Sequence, residues 1–161
     1  MSSSNIPLGP CPSLEIAKDA PLFTFNGVSG EGIITSVYDG DSFDVVLDLF
    51  GQPTKLKTRL MGLDTPELRT KNMLEKALGY KARDRVRELC LHKKVNIDLL
   101  EFEKYGRTMV NVTINDDTLG LVDLTSRLIE ENLAQEYEGK TKLGWDNFIQ
   151  KHHPDLKPYE K

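Results

Sequence analysis

Polar and apolar residues alternate along several short stretches of this chain. Along one longer stretch the apolar residues recur every three or four positions. Residues 32–38 (GIITSVY) are rich in β-branched side chains and predict a strand. DGD at 39–41 is a turn signal. In 42–50, Phe43, Val45, Leu47 and Leu49 alternate against Asp44, Val46 and Asp48, so one face of a second strand is expected to be buried. GQPT at 51–54 is expected to turn the chain again. Residues 55–63 (KLKTRLMGL) predict a third strand. Leu56, Thr58, Leu60 and Gly62 fall on one face, and Lys55, Lys57, Arg59 and Met61 on the other. Three strands joined by tight turns make a meander.

The period then changes. Leu78, Ala82, Val86, Leu89 and Cys90 recur at helical spacing and predict a helix over 74–92. Its other face carries Lys81, Arg83, Arg85 and Arg87, a pattern that suits either solvated surface or a nucleic-acid groove. Residues 94–102 alternate Val95, Ile97 and Leu99 as a fourth strand. Residues 107–114 form a fifth, turning at NDD. Thr125 is a good N-cap for a helix over 126–131, and Asn132 tolerates the left-handed conformation that often ends one. Residues 143–153 predict a last short helix, and 21–25 (PLFTF) alternate weakly enough for only a short strand. The order is three strands, helix, two strands, helix. This predicts an α+β fold, mainly β: a five-stranded OB-fold barrel with two to three helices. Periodicity supports the elements; closure of the barrel is a further expectation. Residues 1–30, rich in Ser, Pro and Gly at their start, are expected to be a flexible extension. The folded domain is expected over 31–152, with a tail over 153–161.

Composition narrows the class. The chain has 161 residues, of which 39% are hydrophobic and 29% charged, which is globular rather than disordered. No apolar run approaches the ~20 residues of a membrane helix, so no membrane partner is expected. The N-terminus lacks the pattern of a secretory signal, so an intracellular location is expected. Net charge is −4, which argues against sequence-independent coating of nucleic acid while leaving room for a local basic cleft. Cys11 and Cys90 are too scattered for a disulfide framework or a metal site. His92, His152 and His153 lack partners at zinc-ligand spacing.

The candidate chemistry sits where strands meet turns. Asp41 and Asp64 flank neighbouring strands and can converge on one hard cation, which takes carboxylate and carbonyl oxygens. Pro66 holds Thr65 extended, which would aim the Thr65 carbonyl at such an ion. Taken singly, both Asp residues also suit ordinary turns. Glu67, three residues past Asp64, could orient or deprotonate a water, or be a plain loop acid. Arg59 precedes Asp64 by five. Arg107 follows Gly106 into the fifth strand. Guanidinium groups grip phosphate oxygens and stabilise charge that grows on them, although each arginine alone also suits a strand surface.

Together, DGDS at 39–42, Arg59 with DTPE at 64–67, and EKYGR at 103–107 resemble the staphylococcal nuclease (thermonuclease) family. The resemblance covers roughly residues 31 to 137. It implies that Asp41, Asp64 and the Thr65 carbonyl bind Ca2+, with Asp39 organising the site from behind. It implies that Glu67 acts on the attacking water and that Arg59 and Arg107 clamp the scissile phosphate. Lys104 and Tyr105 match positions near a substrate phosphate, and Tyr137 approximately matches the family's base-stacking tyrosines. Ser42 stands where the family usually has Thr, and Asn132 where it has Gly. The implied activity is calcium-dependent, sugar-nonspecific hydrolysis of DNA and RNA to 3′-phosphate ends, with single or frayed strands favoured. The alternative is a catalytically silent module that binds nucleic acid or protein. A silent module is expected to have lost an arginine or a metal carboxylate, whereas Asp41, Arg59, Asp64, Glu67 and Arg107 are all present.

Overall fold

The computed structural model describes residues 6–161. Residues 1–5, the start of the expected flexible extension, lie outside the described residues. The rest of that extension contains a short helix, α1 (Leu14–Lys18), capped by Ser13. The segment 21–25 forms no strand; Phe25 instead turns into the core and packs on Phe23 and Phe102.

The meander is β1 (Val28–Val37), β2 (Ser42–Leu49) and β3 (Gln52–Leu60). After β4 (Leu63–Asp64) comes α2 (Met73–Cys90). Then follow β5 (Lys94–Phe102), β6 (Thr108–Asp116) and β7 (Gly120–Asp123). The chain ends with α3 (Leu124–Glu130), β8 (Gln135–Glu136) and α4 (Asp146–His152). Strands β1, β2 and β3 pair antiparallel, as do β1 with β5 and β5 with β6. Parallel pairing of β3 with β6, Arg59 opposite Met109, closes the ring of five. The architecture is therefore the expected mainly-β barrel. It carries four helices among the described residues, rather than two to three, because α1 adds one.

In β5 and β6 the alternation that predicts the strand is the alternation that fills the barrel. Phe43 and Val45 of β2, Val95, Ile97 and Leu99 of β5, and Val110, Val112 and Ile114 of β6 are buried in one core. Leu78, Ala82, Val86 and Leu89 of α2 plug the same core. Cys90 sits there too, its thiol pushed up to about 12 by burial.

Several boundaries differ from expectation for local reasons. The second turn is not Gly51–Thr54 but a two-residue hairpin at Phe50 and Gly51. Both have positive φ (55° and 79°), as a hairpin twisted to match its strands requires. Gln52 and Pro53 are then free to enter β3. The N-cap of α3 is Asp123, whose carboxylate accepts from the Ser126 amide, rather than Thr125. The Thr125 hydroxyl donates instead to the Met61 carbonyl, tying α3 to the end of β3. Asn132 does take the left-handed conformation, with φ 57°. The C-terminal segment folds back: the Tyr159 amide donates to Met73 O, and its ring stacks on Tyr80.

The three arginines of the basic face of α2 are engaged within the fold, while Lys81 is exposed. Arg85 makes two hydrogen bonds to Glu131, at 2.8 and 3.0 Å, and Arg87 donates to Val37 O. Arg83 pairs with Asp84 and lies over the Tyr80 ring.

Candidate active site

The loops that follow β1 and β3 are pressed against α2, and glycine makes that contact possible. A Cβ on Gly40 would lie 2.8 Å from Thr65 Cγ2 and 3.0 Å from Ala82 Cβ. A Cβ on Gly79 would lie 2.9 Å from the Pro66 carbonyl oxygen. The helix therefore holds residues 39–41 and 64–67 side by side. Glu75, in its first turn, accepts a hydrogen bond from the Glu67 amide at 2.9 Å.

Within this frame Ser42 of β2 is paired with Arg59 of β3. One terminal nitrogen of Arg59, Nη2, lies 3.7 Å from Asp41 Oδ2 and 3.8 Å from Asp64 Oδ1. The two carboxylates thus face each other around one guanidinium. On one side, Ser42 Oγ donates to Asp41 Oδ1 and accepts from Arg107 Nη1 at 2.8 Å. On the other side, Lys142 Nζ lies 3.0 Å from Asp64 Oδ1 and 3.7 Å from Glu67 Oε1. Arg107, Ser42, Asp41, Arg59, Asp64, Lys142 and Glu67 form one continuous chain of polar contacts. Asp39 stands behind it, accepting from the Asp41 amide at 3.1 Å.

The electrostatics are unbalanced at the centre. Asp41 is 7% exposed. Burial pushes its carboxyl up to about 8, the nearby charge of Asp39 adds to the shift, and Arg59 only partly opposes it. Arg107 is raised through its hydrogen bonds to Glu103, at 3.0 Å each, and Glu103 is lowered by the same pair. Burial works against the Lys142 ammonium, but Asp64 outweighs it and holds the pKa above the ordinary lysine value.

Two grooves flank this cluster. One, of about 730 Å³, is lined by Ser42, Glu67 and Arg107 and runs out past Lys57 and Lys76. The other, of about 580 Å³, is lined by Arg59, Glu103, Lys104, Met109 and Tyr137. The Glu103–Arg107 pair separates them. Lys104 therefore borders the second groove, with its ammonium 5.0 Å from the centroid of the exposed Tyr105 ring. The Tyr137 ring is half-buried and lies under both Arg59 and Lys142, each 5.8 Å from its centroid.

All ten residues singled out from the sequence thus lie in or beside one cluster. Three participants escape sequence reasoning. Glu103 sits four residues before Arg107, a spacing that hints at the pair. Glu75 sits at the N-terminal end of a helix, where acids are ordinary. Lys142 belongs to a segment without periodicity, and nothing in the pattern marks it.

A family model for staphylococcal nuclease homologues matches residues 57–159. The chain belongs to that family. The match begins within β3, and β1 and β2, which bring in Asp41, complete the same barrel. Among similar curated proteins, Escherichia coli protein ParB is 32% identical over 84 residues, 52% of this chain and 42% of that protein. Shigella flexneri micrococcal nuclease is 26% identical over 110 residues, 66% of this chain and 58% of its own. Staphylococcus intermedius thermonuclease is 30% identical over 111 residues, 67% of this chain and 61% of its own. The chain thus spans about two to three fifths of the length of these relatives.

Whether the cluster suits a divalent ion follows from its donors. Among the described residues no three Asp, Glu, His or Cys side chains are grouped closely enough to hold a metal on their own. Two carboxylates with a backbone carbonyl and water are nevertheless a donor set for a hard cation. The buried Asp41 is short of positive charge, and Asp64 already holds one cation, the Lys142 ammonium. The residues fit such an ion.

Proposed function

We propose that this protein is a calcium-dependent, sugar-nonspecific nuclease that hydrolyses DNA and RNA to leave 3′-phosphate ends. The observation that carries the reading is the continuous chain of contacts from Arg107 through Asp41, Arg59 and Asp64 to Glu67. A catalytically silent module has no need to keep two buried acids facing each other beside two guanidiniums. The names of the micrococcal nuclease and thermonuclease relatives support the same reading.

Asp41, Asp64 and the Thr65 carbonyl would hold Ca2+. When bound, it would polarise a phosphoryl oxygen and offset the negative charge of the site. Arg59 and Arg107 donate hydrogen bonds to the remaining phosphoryl oxygens. Those bonds strengthen as charge accumulates there, so they favour the transition state over the ground state. Both are set beforehand: Arg107 by Glu103 and Ser42, Arg59 by its two carboxylates. Glu67 is exposed at the mouth, with its backbone fixed by Glu75. It accepts the proton as water attacks phosphorus in line. The bond from phosphorus to the 5′ oxygen breaks, that oxygen takes a proton from solvent, and the phosphate stays on the 3′ side. Lys104, Tyr105 and Tyr137 line or border the groove that takes the adjoining nucleotide. Little here reads base edges, which suits single or frayed strands.

The test is degradation of single-stranded DNA with calcium and with EDTA. Glu67→Ser, Arg59→Gly and Arg107→Gly are each expected to lower kcat by about 10²–10³, as for a removed transition-state donor. Equal turnover in wild type and all three variants, or full activity in EDTA, rejects the assignment.

A further inference from the structure

We propose that Lys142 is a built-in competitor for the divalent ion. Its ammonium occupies the Asp64–Glu67 side of the site and leaves when the metal binds. The inference rests on the reading of Asp64 as a metal ligand and adds a residue that neither the sequence pattern nor the comparisons single out.

Three observations carry it. The first is contact: Lys142 Nζ is 3.0 Å from Asp64 Oδ1, a carboxylate whose side chain is only 8% exposed, and 3.7 Å from Glu67 Oε1. It therefore bridges the proposed metal ligand and the proposed water-activating acid. A dication and an ammonium sharing one carboxylate repel each other, so occupancy by one disfavours the other. The second is the imbalance of charge. Asp39, Asp41, Asp64 and Glu67 crowd the site, and Arg59 and Lys142 are the cations that touch Asp64. In the absence of a metal, the lysine supplies the missing positive charge. The third is freedom to leave. Residues 138–145 carry no helix or strand, and the Lys142 side chain is 45% exposed. Between Tyr137 and Trp145, which is buried in the core, the segment has weak hydrogen bonds from Tyr137 Oη to Lys140 O at 3.4 Å and from Gln135 Nε2 to Gly144 O at 3.3 Å.

The same segment brings Glu138 and Gly139 to the wall of the groove that holds Lys104 and Tyr137. Release of Lys142 thus links the metal site to that groove. Coupling of this kind is reciprocal, so a nucleotide that draws Lys142 away also tightens the metal.

The experiment is calorimetric titration of calcium into wild type, Lys142→Met, Lys142→Arg and Asp64→Asn, with melting in EDTA to show that each is folded. Methionine keeps the length of the stem and removes the charge; arginine keeps the charge. Lys142→Met is expected to bind calcium about tenfold more tightly than wild type, within the usual range of coupling between sites. Lys142→Arg should stay near wild type. Calcium affinity that is unchanged or weaker in Lys142→Met overturns the competitor role while leaving the metal site standing. No calcium binding in either wild type or Lys142→Met, the same result as Asp64→Asn, overturns both this inference and the calcium reading.

Discussion

Two guanidinium–carboxylate networks lie against helix α2, one through Arg85 and one through the loops packed on Gly79 and Ala82, and they are built to opposite ends. In the first, Glu131 receives Arg85 and Arg127, the latter at 2.6 Å, and joins α2 to α3. Burial disfavours the Glu131 carboxylate, but the two arginines outweigh it and hold its pKa below the ordinary value. Every charge there is answered. In the other, Asp41 and Asp64 share Arg59, and Asp41 is pushed up to about 8. The first network is finished by the fold. The second leaves Asp41 short of positive charge even with Lys142 on Asp64, a strained balance of the kind found at functional sites. Counting ion pairs does not tell the two apart; the balance of charge against burial does.

The contact of α2 with the 64–67 loop offers the sharpest way to disturb the second network alone. In an open helix Ala for Gly gains about 0.5–1 kcal/mol. At Gly79 the added Cβ would meet Leu68 Cδ2 and the Pro66 carbonyl, both at 2.9 Å, and the carbonyl belongs to backbone that carries Glu67. Gly79→Ala is therefore expected to reverse the sign and cost about 2 kcal/mol by overpacking. Turnover should fall with it, while the Arg85–Glu131 clamp stays intact. Denaturant melts beside nuclease assays check this. A variant more stable than wild type with unchanged kcat would show that the loop is not pinned there.

The unanswered charge makes a prediction of opposite sign. Asp41→Asn keeps an acceptor for Ser42 and removes a carboxyl that burial and the charge of Asp39 make costly to ionise. It is expected to stabilise the metal-free fold in EDTA by about 1–2 kcal/mol, the usual gain when a site's strain is removed, and to abolish activity in calcium. A melting temperature below that of wild type would mean that Asp41 serves the fold first and the site second.

What could be read in advance follows from periodicity. The barrel was legible because β5 and β6 each bury one face, and α2 because Leu78, Ala82, Val86 and Leu89 keep helical spacing. Strand β2 puts Phe43 and Val45 in the core as its alternation predicts, but Ser42 and Asp44 on its other face are buried as well, drawn in at the site end of the strand. Val28 to Glu31 are exposed, so the first half of β1 shows no alternation and escaped notice. Strand β7 has only four residues, too few for a pattern to emerge. Phe50 hides a hairpin turn because a left-handed phenylalanine breaks the usual residue preferences. The candidate site was legible because its acids and arginines flank turns at spacings that a known family shares. Lys142 was not, since its place is set by a segment that folds over the mouth rather than by any local repeat.

The finished network should respond to acid in a way that the site does not require. The Glu131 pKa is lower in the fold than in the unfolded chain, so its stabilisation is full above the unfolded glutamate value. It is lost as pH falls through the depressed folded value. Glu131→Gln is expected to cost about 1 kcal/mol at pH 7, as for a partly buried, charge-assisted pair. In a chain of this size that is about 3 °C in Tm. The gap between variant and wild type should close as pH falls below the ordinary glutamate range, because wild type loses the charge that the variant never had. Turnover at pH 7, measured well below Tm, should stay within about twofold, since Glu131 touches α2 and α3 and none of the residues at the mouth. A stability gap that persists unchanged into acid would mean that Glu131 acts through packing. The contrast between a closed structural network and an open functional one would then rest on shape rather than charge.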